Sequence, residues 1–196
     1  MNAIAALDLE PIKVKLMHKE SGAGWTLERT NAVELEYRRF LTLMKKFPNE
    51  DTSPLVDVDT FWHYHILDTM KYAADCQAVF GYFLHHFPYV GMRGEDDAAI
   101  LVGLGERMKQ LYEAEFGEAY GSVTGGADPA YCAMTPPGKV DAAAYCAMTP
   151  PGKVALTAYC AMTPPGKVDL TAYCAMTPPG KVGLAATLYV ERPRLS

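Results

Sequence analysis

Between Thr30 and Pro48 apolar side chains recur at Val33, Tyr37, Phe40, Leu41, Met44 and Phe47, with Leu35 and Leu43 beside them. This is the spacing of an amphipathic helix, with Thr30 or Asn31 as its N-cap and Pro48 as its stop. A second helical pattern opens at Asp57, a capping residue with Val56 before it and Phe61 four residues after it as a hydrophobic staple. It runs through TFWHYHILDTMKYAADCQAVFGYF to Gly81 or just beyond. DDAAILVGLGERMKQLYEAEFGEAY makes a third, with Asp96 and Asp97 near its start, where the helix dipole favours acids. Residues 11–27 read as a fourth helix or an extended arm, broken at Gly22 to Gly24. The pattern predicts an all-α head over residues 1–120, three or four helices closing on Trp25, Trp62 and the phenylalanines.

After residue 120 the pattern changes character. GSVTGGADP, residues 121–129, has the composition of a linker. Residues 130–196 form a repetitive tail, in which YCAMTPPGKV stands unchanged at 131–140, 145–154, 159–168 and 173–182. The four-residue segments after the copies drift through DAAA, ALTA, DLTA and GLAA. The prolines of the four copies exclude a continuous helix, and Pro-Gly suits the centre of a type II turn. The tail is therefore expected to be extended, disordered or built of short β-turn units. A stack of such units on Tyr131, Tyr145, Tyr159 and Tyr173 is one structural reading, and a low-complexity tail is the other.

Composition is that of a globular protein, with 49% hydrophobic and 21% charged residues. The net charge of −5 divides unevenly. From residue 129 onward six Lys/Arg stand against Asp141, Asp169 and Glu191, so the tail is basic and the head strongly acidic. An acidic head and evenly spaced tail lysines argue against nucleic acid as a partner. No apolar run approaches a bilayer span and no secretory pattern opens the chain, which predicts a cytoplasmic protein with no membrane partner. Reduced thiols are then expected for Cys76, Cys132, Cys146, Cys160 and Cys174 rather than disulfides.

Each repeat sets a phenol beside a thiol at Tyr131–Cys132, Tyr145–Cys146, Tyr159–Cys160 and Tyr173–Cys174, then a threonine, a rigid Pro-Pro-Gly and one lysine. These are groups that enzymes crosslink, cyclise or oxidise, and the lysine offers a processing site. The layout resembles multicore precursors of ribosomally synthesised, post-translationally modified peptides, in which a leader precedes repeated cores. That resemblance rests on architecture, covers about residues 129–182, and implies a modifying enzyme or processing protease as partner. Tethering explains its logic, because one docking event holds several cores at high effective concentration. On this reading the chain is a substrate rather than an enzyme, although a redox metal in the head would let it act on its own tail.

The head offers its own candidate chemistry. Trp62, His63, His65, Tyr72, Asp75 and Cys76 occur together in WHYHILDT and YAADC, with HHFPY beyond. This stretch resembles the conserved segment of the glycine-rich domain-containing protein family, and the resemblance, over about residues 28–90, implies the domain and no particular reaction. At about 100° per residue His63 and His65 point in different directions on one helix, so one ion cannot take both there. His65 lies one turn from Asp68, which predicts a core histidine held by Asp68, with Tyr72 extending the network. His63 faces Asp59 at i−4. The candidate metal ligands are His63, His65, Asp68, His85 and His86, with His18 further off, a donor set suited to Zn, Fe or Cu. His85 and His86 have a simpler reading, as partners of the negative end of the second helix. Cys76 is expected as a small buried apolar residue. A metal-binding or stress-related binding protein is thus the alternative to a precursor.

Overall fold

The computed structural model describes residues 3–122, 130, 133–135 and 192–195. Tyr131, Cys132, Tyr145, Cys146, Tyr159, Cys160, Tyr173 and Cys174 lie outside the described residues. Five helices build the head: α1 (Glu10–Met17), α2 (Leu27–Lys46), α3 (Val56–Leu67), α4 (Thr69–Val79) and α5 (Glu95–Phe116). A short antiparallel ladder joins β1 (His85–Phe87), between α4 and α5, to β2 (Ala133–Thr135).

The core helix α2 starts earlier than its apolar stripe. Its N-cap is Thr26, whose hydroxyl accepts from the Arg29 amide at 3.2 Å. Thr30, one of the expected caps, is instead a fully buried helical residue whose hydroxyl donates to the Thr26 carbonyl. Val33, Tyr37, Phe40, Leu41 and Met44 form the buried stripe as their spacing predicts. The α2 and α3 helices pack on each other, α1 lies against both, α4 follows α3, and α5 closes on α2. Trp62, Tyr37, Tyr72, Phe61, Leu43 and Tyr112 are among the large side chains sealed in the centre.

The second predicted helix is two helices. At Asp68 the backbone leaves helical geometry (φ −84°, ψ 71°), and the Asp68 carboxylate caps α4 by accepting from the Lys71 amide. The start also differs, because the N-cap is Leu55, and Val56, expected before the cap, is itself the first helical residue and half exposed. Gly117, in the left-handed conformation at φ 68°, ends α5 by donating to the Glu113 carbonyl.

Two parts of the tail touch the head. The buried Ala130 donates its amide to the Pro54 carbonyl at 2.8 Å and accepts from the Ser53 hydroxyl at 2.7 Å. Near the C-terminus Arg192 pairs with Asp68, Arg194 with Asp8 and Glu10, and the Leu195 amide donates to Glu10. These are contacts of a basic tail with an acidic head.

Candidate metal centre

The turn at Asp68 decides what the WHYH segment does. Residues ten apart on a straight helix stand about 15 Å apart along its axis. Here two such pairs touch: the Trp62 indole N–H donates to the Tyr72 hydroxyl at 2.8 Å, and His65 Nε2 lies 2.9 Å from an Asp75 carboxylate oxygen. The fold-back of α4 on α3 makes both contacts.

His65 is a core histidine, but its partners are not those expected. It is buried, its Nε2–H donates to Asp75, and its Nδ1 accepts from the Tyr37 hydroxyl at 2.8 Å, a tautomer assigned from the partners. Burial pushes its pKa down, against the opposing pull of Asp75, so the neutral ring is favoured. Lys71 completes the network by donating to the same Asp75 oxygen at 2.7 Å. Asp68 is not a hydrogen-bond partner of His65 and instead caps α4 and meets Arg192. Tyr72 does extend the cluster, with its ring edge-on to His65 at 4.9 Å and its hydroxyl donating to the Leu84 carbonyl.

Cys76 is buried, as expected, and burial pushes its thiol up to about 11. On a continuous helix it would stand far from His65, yet after the turn the two line the same small cavity. A thiol held protonated in that setting is inert.

His63, by contrast, points away from His65, as helix geometry requires, and meets His86. The Asp59 carboxylate lies between them: Oδ1 accepts from His86 Nε2 at 2.9 Å, and Oδ2 stands 3.5 Å from His63 Nδ1. The two imidazoles lie 4.4 Å apart, centroid to centroid. One ligand atom from each of the three residues falls within 4.8 Å of the others. Asp59 and His63 share a face of α3 through their i,i+4 spacing, while His86 arrives from β1 with its ring edge-on to Trp62 at 4.7 Å. The His86 and Asp59 side chains are largely buried, and His63 is half exposed, leaving the cluster one open side.

Of the five candidate ligands, the fold thus unites His63 and His86 and places the others elsewhere. His65 is in the core, Asp68 is at the α4 cap, and His85 packs its ring near Phe83 at 5.1 Å. His18 binds Ser21. His85 and His86 belong to a strand and do not serve the end of a helix. Asp59 is the member that the histidine motif leaves out, and its signal in the sequence is its position four residues before His63.

The β1 strand that delivers His86 also holds β2. Its register sets His85 opposite Thr135, His86 opposite Met134 and Phe87 opposite Ala133. The β2 residues are the AMT of the first repeat. Among the described residues no helix is long and apolar enough to cross a membrane. No curated protein and no solved structure is detectably similar to the chain. A family model does match residues 2–105, the part that holds α1 to α4, β1 and the Asp59–His63–His86 cluster, and covers more than half of the sequence: the chain belongs to the UCP032817-like family.

Proposed function

We propose that the protein is a precursor whose helical domain presents four Cys-containing repeats for post-translational modification. The observation that carries this reading is the β1–β2 ladder, in which a segment of a repeat is added as a strand to the folded domain. Strand addition of this kind gives main-chain affinity with little demand on side chains. The same AMT stands at 147–149, 161–163 and 175–177, so each repeat carries the element that docks. Ala130 and Arg192–Leu195 tie the array to the head on both sides of the repeats. Such tethering holds the cores close to the docking strand. The resemblance to multicore precursors supports the same reading, and the Tyr-Cys pair before each AMT is the natural target. The likeness of the WHYH segment to glycine-rich domain-containing proteins concerns the domain alone.

A Phe87→Pro variant tests this, because proline removes a backbone donor from β1 and disfavours strand pairing. Isolated from the cells that make it, the variant should carry about tenfold less modification across the four YCAMT segments, the effect of losing about 1.4 kcal/mol of docking. A Met134→Pro variant should lose modification in the first repeat only. Equal modification of wild type and Phe87→Pro would contradict the docking role.

A further inference from the structure

We infer that Asp59, His63 and His86 form a binding site for a divalent first-row transition-metal ion. The inference concerns binding by the head and holds whether or not the repeats are modified.

The geometry is that of a ligand set. Donor atoms around a tetrahedral Zn(II) at about 2.0–2.2 Å stand about 3.3–3.6 Å from one another. One carboxylate–imidazole separation, 3.5 Å, already falls in that range, the other, 2.9 Å, is a hydrogen-bond length below it, and one ligand atom from each of the three residues lies within 4.8 Å of the others. The two oxygens of Asp59 face the two imidazoles, so the carboxylate stands between both nitrogen donors.

The chemistry agrees. Two neutral imidazoles and one carboxylate suit Zn(II), Fe(II) and Co(II), and three protein ligands leave positions open for water or a further ligand. The elements that supply the donors are held in place as a site requires. Asp59 and His63 sit on successive turns of a core helix, and His86 is braced against Trp62, itself fixed by Tyr72. The half-exposed His63 edge provides entry for the ion. Because His86 pairs with Met134, the site adjoins the backbone of the docked repeat.

The test uses the full chain with Cys132, Cys146, Cys160 and Cys174 each replaced by serine, so that repeat thiols cannot bind the probe. Co(II) is titrated into chelator-treated protein and followed by its visible absorption, with Zn(II) as competitor. The expected result is one equivalent of Co(II) displaced by Zn(II), with affinity reduced about 100-fold or more in Asp59→Asn, His63→Ala and His86→Asn. That exceeds the 10–100-fold typical of losing an outer-shell partner. His85→Asn, on the same strand, should bind as the parent does. Should His86→Asn disturb β1, His63→Ala decides, because that side chain is half exposed and its loss spares the core. Absence of stoichiometric binding, or unchanged affinity in His63→Ala, overturns the site.

Discussion

Replacing His65 with alanine should destabilise the head by about 3–5 kcal/mol, the cost of breaking a buried polar pair and leaving its partners alone. Three consequences add up. Tyr37 loses the acceptor for its buried hydroxyl, Asp75 keeps only Lys71 of its two side-chain partners here, and a ring-sized void opens between Tyr37 and Tyr72. Tyr37→Phe, which deletes only the hydroxyl, should cost about 1–2 kcal/mol, near the value of one hydrogen bond. Urea unfolding of the full chain measures both, read from the midpoint with the slope unchanged. A loss under about 1 kcal/mol for His65→Ala would mean that this histidine is not the structural hub described. The comparison separates His65 from its neighbour two residues away, since His63→Ala removes a half-exposed ring and should leave the unfolding midpoint nearly unchanged.

Arg39→Ala should cost about 2–4 kcal/mol, somewhat below the range for a fully buried ion pair because water reaches part of the guanidinium. Arg39 bonds to Glu36 at 3.2 Å, to the Tyr112 hydroxyl, and in a fork to Glu118 at 2.8 and 2.9 Å. Its guanidinium also lies over the rings of Tyr112 and Phe116. Glu36 is buried, so removing Arg39 leaves a carboxylate with only the Tyr112 hydroxyl among the side chains that bond to it here. Through Tyr112 the network joins α2 to α5, the contact that closes the head. Adding Glu36→Gln to Arg39→Ala should restore part of the loss, because the uncompensated charge goes with it. If the double variant is the less stable of the two, the cost comes from lost packing rather than from the stranded charge.

Much of this architecture was legible in the residues. The apolar stripe of α2 and the acidic start of α5 follow from spacing and charge, and both helices form, α2 with its start four residues before the expected cap. The divergence of His63 and His65 follows from 100° per residue and holds. What could not be read is the turn at Asp68, because no proline or glycine marks it and the apolar pattern continues across it. Tertiary contact explains the break: only a fold-back lets Trp62 reach Tyr72 and His65 reach Asp75. Asp68, the nearest acid in sequence, is taken up by the new helix end, and a residue ten positions on replaces it as partner of His65.

The same limit governs the candidate metal site. Sequence spacing places Asp59 below His63, but nothing local places His86 beside them. That contact depends on β1, whose three residues sit in a stretch that reads as the tail of a helix. The strand forms with a partner from the first repeat, a pairing across the linker that hydropathy cannot reveal.

The central claim is that the repeats are modified while held by the head, and the most direct measurement is the intact mass of the protein isolated from the cells that make it. Comparison with the sequence mass, followed by peptide mapping at Lys139, Lys153, Lys167 and Lys181, locates any change. The account predicts a mass shift in multiples of one unit, confined to the four YCAMT segments and abolished there by substituting Cys132, Cys146, Cys160 and Cys174. An unmodified, uncleaved chain with the sequence mass would contradict it.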